Sequence, residues 1–247
     1  MNNISLIVTD LDSTLVRSDG SVSEYTKYVF QRVRDSGVLI AFATLRSEEM
    51  CKRITEQVFP DILITSGGAL SRCGNDIICN ATIERDIVCG IIKRCAELGV
   101  SLASIESDAG CRDIRPADFV GTECANVYKI GICTDDYHVP GIIAAEFPSV
   151  TADSFGAGYR WHLIRSRDAS KDAALRVVCS SLGVSLNEVL AFGDDYGDIG
   201  MIRDAGVGVA VQKAREEVKA AADYICGDCD SDGVSVWITE NLQFRKD

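Results

Sequence analysis

Two acidic stretches of this 247-residue chain contain residue types that bind divalent cations. They are Asp10-Leu11-Asp12-Ser13-Thr14 and Gly193-Asp194-Asp195-Tyr196-Gly197-Asp198. Carboxylates this close raise each other's pKa unless a cation compensates, and magnesium prefers carboxylate and water oxygens and is often shared with substrate phosphate. Each stretch alone is also typical of a polar turn after a strand. Because both follow predicted buried strands, together they predict a magnesium site, which Asp195 is expected to reach along with Asp194 and Asp198.

Basic and hydroxyl side chains accompany other predicted strand ends and helix starts. Thr44 and Arg46 follow the second predicted strand, and Lys171 stands beside Ser170 at a predicted helix start. A cation at such a position can bind an oxyanion, although a helix-terminal Lys or Arg taken singly is more often a surface charge. Combined with the acidic stretches, they predict a site that handles phosphate.

These groups supply what phosphoryl transfer to an aspartate requires. Asp10 would attack phosphorus in line, and Asp12 would protonate the leaving alcohol and then deprotonate the hydrolytic water. Thr44 and backbone N–H groups around Leu11 would hold phosphate oxygens, while Lys171 would neutralise charge on Asp10 and the transferring group. The residues therefore predict a phosphatase that forms an aspartyl phosphate.

The elements that must position these residues follow a β-α-β-α-β pattern. Buried strands are predicted at Ile4 to Thr9, Val38 to Ala43, Ile62 to Thr65, Val189 to Phe192 and Val207 to Val211. Ser21 and Glu24 have capping-box spacing for a first helix, which Gly37 closes. Ser47 can cap a second helix running toward Val58. The prediction is an α/β fold with a Rossmann-like, three-layer parallel core, whose ligands gather at the carboxyl ends of the strands.

The pattern changes in the middle of the chain. A predicted helix near Asp86 to Leu98 is followed by strand-like segments at Ser101 to Ile105, Val127 to Cys133 and Trp161 to Ile164, and the first pattern resumes at Ser170. Domain insertions enter at surface loops, so that the core is built from both chain ends. We predict a catalytic core over residues 1–82 and 167–247, with a small α+β cap inserted over residues 83–166.

Composition limits the partners. The chain is 47% apolar, with a formal net charge of -12 and a sequence pI near 4.7, so it offers no basic surface for nucleic acid or anionic lipid. A small phosphorylated metabolite is the expected partner, and a homodimer stays open. Eleven cysteines without regular spacing, and no signal-like N-terminus, predict a reduced cytoplasmic protein in which Cys226 and Cys229 are ordinary free thiols.

The arrangement resembles the haloacid dehalogenase-like phosphatase superfamily, and in particular its Cof-like branch, over nearly the whole chain. The matching residues are Asp10, Asp12 and Thr14 in the first motif, Thr44 with Arg46 in the second, Lys171 in the third, Asp194 with Asp198 in the fourth, and Asp232-Gly233-Val234 in the closing segment. The resemblance implies that Asp10, the Asp12 carbonyl and Asp194 coordinate magnesium, with Asp198 acting through water or by orienting its neighbours. Leu11, Thr14 and Arg46 would contact the substrate.

Four positions depart from the branch. Leu45 replaces a glycine in the second motif, and Gly67, Gly197 and Lys213 stand where the branch commonly has Asn. Leu45 loses a glycine's backbone freedom at a tight turn. Since none of these changes removes the nucleophile, the acid/base or a metal ligand, the chemistry is expected to survive with altered rate or specificity.

The short predicted cap favours a small substrate, such as a sugar phosphate or a phosphoglycolate-like compound. Candidate cap contacts are Arg112, Arg115, Lys129, Arg160 and His162, each more often a surface or interdomain side chain. One alternative function is a phosphomutase or phosphotransferase of the same superfamily. The other is a non-catalytic phospho-receiver or binding module, which the order of the acidic motifs and the presence of an inserted cap disfavour.

Overall fold

The computed structural model describes residues 4–120, 125–154 and 160–242. The chain divides into a larger unit, Met1–Cys79 with Ser170–Asp247, and a smaller unit, Asn80–Ala169. The predicted fold class, α/β with a Rossmann-like core and an inserted α+β part, is confirmed. That the smaller unit covers a substrate stays a prediction.

Strands and helices alternate along most of the chain. In the described residues the strands are β1 (Leu6–Thr9), β2 (Leu39–Ala43), β3 (Ile62–Thr65), β4 (Leu70–Cys73), β5 (Asp76–Asn80), β6 (Leu102–Ser107), β7 (Gly110–Ile114), β8 (Val127–Cys133), β9 (Val150–Ser154), β10 (Trp161–Ser166), β11 (Val189–Gly193), β12 (Val207–Val211) and β13 (Tyr224–Cys226). The helices are α1 (Glu24–Asp35), α2 (Glu48–Val58), α3 (Arg85–Glu97), α4 (His138–Glu146), α5 (Lys171–Leu182), α6 (Ile199–Asp204), α7 (Glu216–Ala221) and α8 (Gly233–Asn241).

The larger unit is built on an eight-stranded sheet of order β13-β12-β11-β1-β2-β3-β4-β5. The run from β13 to β3 is parallel, and β4 pairs antiparallel with β3. In the centre, Thr9 of β1 lies beside Phe42 of β2 and Phe192 of β11. The residues after these three strands therefore emerge at the same edge.

Burial explains why the central strands form. Every residue of β1 and β11 is buried, as expected for strands covered on both faces. Phe30, Phe42 and Phe192 are among the largest fully buried side chains, each worth about 1.5–3 kcal/mol relative to exposure. The predicted strands in this unit are confirmed within one or two residues.

Helix caps set the ends of the site's supporting helices. The predicted Ser21 cap of α1 is wrong: the Ser23 side chain accepts from the Thr26 N–H, while the Ser21 N–H donates to Asp19 in the preceding loop. Ser47 caps α2 as predicted, and Ser170 caps α5 by accepting from the Ala173 N–H.

The smaller unit has a five-stranded antiparallel sheet of order β7-β6-β8-β10-β9, with α3 and α4. Its core contains Ile91, Ile130 and Ile164. The sequence did not predict β7, whose residues are mostly exposed, or α4, which contains Pro140 and Gly141. Among the described residues of the whole chain, the helices are too short or too polar to cross a membrane.

Candidate active site

The candidate active site lies at the carboxyl edge of the large sheet. Asp10 directly follows β1, Thr44 follows β2 and Asp194 follows β11. The Asp10 N–H donates to the Phe192 carbonyl at 3.0 Å, which holds Asp10 against the end of β11. Three residues that are far apart in sequence thus begin three neighbouring loops.

The first residue of α5 brings a cation into this edge. Lys171 Nζ lies 2.6 Å from Oδ1 of Asp10 and 2.6 Å from Oδ1 of Asp198. All three side chains are almost fully buried. We call this group the buried triad. Lys171 was predicted to neutralise Asp10, and the structure places it between Asp10 and a second carboxylate.

Burial dominates the electrostatics of the site. It raises the pKa of Asp10 well above its usual range; Lys171 opposes this effect, whereas Asp198 and Asp194 add to it. Burial also raises the pKa of Asp194 to about 6, against the effect of a hydrogen bond from Thr14. Burial alone would lower the pKa of Lys171, but its two carboxylate partners raise it overall, so that the ammonium stays charged.

The donor set fits a hard divalent cation. Carboxylate oxygens of Asp10, Asp194 and Asp198 lie within 4.8 Å of one another. One ammonium compensates these three carboxylates only in part, and a divalent ion that prefers oxygen ligands would offset the remainder. The Asp12 carboxylate is outside this group and contacts Arg46.

Asp198 organises the second acidic loop. Its Oδ2 accepts from the N–H groups of Asp194 and Asp195 at 3.0 and 3.1 Å, and its Oδ1 accepts from Lys171. A Cβ at Gly193 would stand 2.4 Å from the Asp198 Cβ, so only glycine leaves room for this arrangement. Both Asp198 oxygens thus already have partners, which favours the predicted orienting role over direct metal binding.

Two threonines line the same edge with different partners. Thr14 Oγ1 donates to Asp194 Oδ1 at 2.7 Å, joining the first acidic stretch to the second. Thr44 is buried, and its Oγ1 accepts from the Arg46 N–H at 3.1 Å. The Thr44 hydroxyl can still donate one hydrogen bond, as a phosphate-binding group must.

Arg46 forms a bidentate ion pair with Asp12. Its Nε lies 2.9 Å from Oδ2 and its Nη2 lies 2.5 Å from Oδ1 of that carboxylate. The guanidinium predicted to hold the substrate therefore contacts the predicted acid/base residue. The sequence did not indicate this pair.

One expectation about the loops is wrong, and one loop substitution has little consequence for the backbone. Asp195 was expected to reach the site with Asp194 and Asp198, but its carboxylate accepts from the Tyr196 N–H and pairs with Arg215. Leu45 stands where the family branch has a glycine in its second motif. Positive φ values occur at five described non-glycine residues, and Leu45 is not one of them, so its backbone has no need of a glycine.

A second acidic group lies after β13. Asp228, Cys229 and Asp230 are close enough to share an ion, but Lys213 already pairs with Asp228 at 2.7 Å. Burial raises the pKa of the Cys229 thiol to about 11 and that of Cys226 to about 12, which keeps both protonated. Both are free thiols, as predicted. Lys213, where the branch commonly has Asn, is thus an ion-pair partner.

In the smaller unit, three of the predicted substrate contacts have local partners. Lys129 Nζ pairs with Glu106 at 3.0 Å, and Arg160 Nε pairs with Asp135 at 2.6 Å. His162 is fully buried, and its Nδ1 lies 2.8 Å from the hydroxyl oxygen of Ser154. All three side chains thus have partners within the smaller unit, and their contact with a substrate stays a prediction.

A Rossmann-like core with a lysine-bridged acidic site at its carboxyl edge defines a class of phosphate-handling enzymes. The chain belongs to the haloacid dehalogenase-like hydrolases, whose family pattern it matches over residues 7–115 and 118–238. The predicted superfamily, with its Cof-like branch, and the predicted enzyme class, phosphoric monoester hydrolase, are confirmed.

Several known proteins are similar to the chain. The 5-amino-6-(5-phospho-D-ribitylamino)uracil phosphatase YcsE of Bacillus subtilis is 25% identical over 237 residues, which cover 94% of each chain. A phosphoglycolate phosphatase of Archaeoglobus fulgidus is 40% identical over 88 residues, 36% of this chain and 37% of that protein. The crystal structure of a haloacid dehalogenase-like hydrolase from Bacteroides thetaiotaomicron superposes with a TM-score of 0.87 at 22% identity, covering 97% of this chain and 100% of the other.

Proposed function

We propose that the chain hydrolyses a small phosphate monoester through an aspartyl phosphate formed on Asp10, with magnesium as cofactor. The observation that carries the proposal is the buried triad, in which Lys171 Nζ stands 2.6 Å from a carboxylate oxygen of Asp10. Lys171 orients Asp10 and offsets the charge that builds up when a carboxylate approaches a phosphate.

In the first half-reaction, a carboxylate oxygen of Asp10 attacks phosphorus, and the bond between phosphorus and the leaving oxygen breaks. Asp12, in its protonated form, gives a proton to that oxygen, and the alcohol departs. Thr44 donates a hydrogen bond to a phosphate oxygen. The exposed Arg46–Asp12 pair opens as Arg46 turns to the bound phosphate, which frees Asp12 to face the leaving group.

In the second half-reaction, Asp12 removes a proton from water, and the water oxygen attacks the phosphorus of the aspartyl phosphate. The bond between phosphorus and the Asp10 oxygen breaks, which restores the Asp10 carboxylate and releases inorganic phosphate. Asp12 regains the proton it gave to the alcohol. The net reaction consumes one ester and one water and yields one alcohol and one phosphate.

Magnesium, when bound, supplies positive charge that offsets repulsion between the phosphate and the Asp10 carboxylate. Asp10 and Asp194 would hold it through their carboxylates, and the family resemblance adds the Asp12 carbonyl. Asp198 would support this group by fixing the Asp194 backbone and Lys171. Enzymes of this superfamily generally use a divalent metal ion.

Similar proteins suggest the substrate class. The names of YcsE and of the Archaeoglobus enzyme specify a phosphorylated ribityl compound and phosphoglycolate, and a structural neighbour that superposes with a TM-score of 0.81 is a sugar phosphatase of subclass IIB. We therefore propose a small, sugar-like or hydroxy-acid phosphate, handled in the cytoplasm. A panel of such esters, compared by kcat/KM, ranks the candidates.

Asp10→Asn tests the proposal most directly. We expect phosphate release from an aryl phosphate to fall at least a thousandfold, because the amide cannot attack phosphorus. Rapid quenching with a radiolabelled ester should trap label on the parent protein and none on the variant. Asp76→Asn, at an exposed carboxylate of β5, is the control and should keep full activity. Equal rates for the parent and Asp10→Asn would eliminate the proposal.

The same labelled ester separates the alternatives. A hydrolase transfers the label to inorganic phosphate, whereas a phosphomutase or phosphotransferase transfers it to a second hydroxyl of a sugar. A phospho-receiver would accumulate stable labelled protein from acetyl phosphate without turnover. We expect inorganic phosphate to be the dominant labelled product.

A further inference from the structure

Residues 11–22 are called the β1 loop. One group of hydrogen bonds that holds this loop involves none of the proposed metal ligands. The Arg17 guanidinium donates to both carboxylate oxygens of Asp232, from Nε at 3.2 Å and from Nη2 at 2.7 Å. The next residue, Ser18, donates from its N–H and its hydroxyl to Asp230 Oδ1 at 2.9 and 2.8 Å. Two successive residues of the loop are thus attached to the segment after β13.

The Asp232 carboxylate is itself fixed in direction. Asp232 has a left-handed backbone, with φ of 56°, which Asp tolerates better than most residues. Its Oδ1 also accepts from Thr26 Oγ1 at 3.3 Å, and the buried Ser235 hydroxyl donates to Thr26 at 2.9 Å. A Cβ at Gly233 would stand 1.9 Å from the Gly227 carbonyl oxygen, so the backbone packs too tightly to shift.

The proposed acid/base residue, Asp12, lies near the start of the β1 loop. Val16, which directly precedes Arg17, forms a backbone bridge with Asp12. The Leu11 carbonyl accepts from the N–H groups of Leu15 and Val16 at 3.0 and 2.8 Å, which closes the loop into a tight turn. A displacement of Arg17 would therefore pass to the backbone of Asp12 across a single bridge.

We propose that Asp232 is a positioning residue for the hydrolysis: it holds Arg17 and thereby keeps Asp12 in reach of the leaving oxygen. The inference rests on the proposed function, because it needs Asp12 to act as the acid. A general acid must lie within hydrogen-bond reach of the oxygen it protonates, and a shift of about 1 Å can cost on the order of a hundredfold in rate. A loop that is only partly loosened would cause a smaller loss of rate.

Leaving-group dependence distinguishes positioning from simple destabilisation. An alkoxide needs a proton to depart, whereas a nitrophenolate leaves readily without one. In single-turnover rapid quench, we expect Asp232→Asn and Arg17→Gln to slow alcohol release from an alkyl phosphate about tenfold and to change nitrophenolate release by less than about twofold. Asn also tolerates the left-handed backbone at position 232, so this variant removes the charge without straining the turn.

Three further variants sharpen the test. Arg17→Lys keeps one charge and should restore part of the lost rate. The double variant should be no slower than either single one, because both remove the same contact. Arg94→Gln breaks a bidentate pair with Glu146 in the smaller unit and should leave both rates unchanged.

Each outcome decides the inference. An equal loss on both esters, or no loss on the alkyl ester in correctly folded variants, would overturn the positioning role. Folding is checked by thermal unfolding of each variant. If Asp10→Asn keeps full activity, the proposed function itself fails. If Asp10→Asn is inactive while Arg17→Gln shows no leaving-group selectivity, only the role of Asp232 fails.

Discussion

Two ion-paired groups in the active site differ in their exposure to solvent. In the buried triad the side chains of Lys171, Asp10 and Asp198 are 7%, 8% and 1% exposed, whereas those of Arg46 and Asp12 are 22% and 58% exposed. A buried charge that loses its partner cannot be solvated by water, whereas an exposed charge can. The nucleophile is therefore held rigidly, and the acid/base residue is free to change partners.

This difference matches the different tasks of the two aspartates. Asp10 must meet phosphorus in line, so a fixed position lowers the entropic cost of attack. Asp12 must face an alcohol in one half-reaction and a water in the other, which requires movement or exchange of partners. Breaking the buried group should therefore cost more than breaking the exposed pair.

Removing the cation of the buried triad should have the largest effect. Lys171→Met leaves Asp10 and Asp198 buried without a positive partner, and breaking such a group typically costs about 3–5 kcal/mol. Urea unfolding in metal-free buffer measures this loss, and we expect phosphatase activity to disappear as well. Lys52→Met, which breaks an exposed pair with Glu49, is the control and should have little effect. Similar unfolding curves for the two variants would contradict the distinction between buried and exposed pairs.

Magnesium should partly relieve the repulsion among the buried carboxylates. At a free concentration of about 100 times its Kd, magnesium should stabilise the folded protein by about 2.7 kcal/mol, detected as a higher unfolding midpoint. Asp194→Asn should abolish this shift. Asp228→Asn, in the acidic group after β13, should keep it. A shift that survives in Asp194→Asn and vanishes in Asp228→Asn would place the metal after β13.

The sequence predicted the buried part of the site better than the exposed part. Continuous apolar runs marked β1 and β11, and parallel strands bring their ends together, so that Asp10 and Asp194 could be expected at one edge. Side-chain partners on the surface follow from loop geometry, which no periodicity encodes. Arg46 meets Asp12 across 34 positions, and Asp195 meets Arg215 across 20. No periodicity marks the Asp232-Gly233 pair, which stands out only by the family resemblance.

Crowding Asp198 should have an intermediate effect. Gly193→Ala would place a methyl group 2.4 Å from the Asp198 Cβ, which belongs to the stem of the side chain and cannot rotate away. We expect a loss of about 2 kcal/mol, typical of overpacking, and a lower kcat as Asp198 shifts from Lys171. Gly197→Ala is the matched control, because nothing lies within 4 Å of its added Cβ. Equal activity of the two variants would argue against a role for Asp198 in holding the site.

The exposed pair should give the smallest change in stability. Arg46→Gln breaks two hydrogen bonds to Asp12, yet the free energy of unfolding should fall by only about 0.5 kcal/mol, because water can solvate the freed carboxylate. The effect should appear instead in KM, which we expect to rise about tenfold as a contact with the substrate phosphate is lost. Arg46→Lys should restore the charge but not the bidentate geometry, and so recover only part of the affinity for the substrate phosphate. A loss of stability approaching that of Lys171→Met, with KM unchanged, would mean that this pair is structural and that Arg46 does not leave Asp12 for the phosphate.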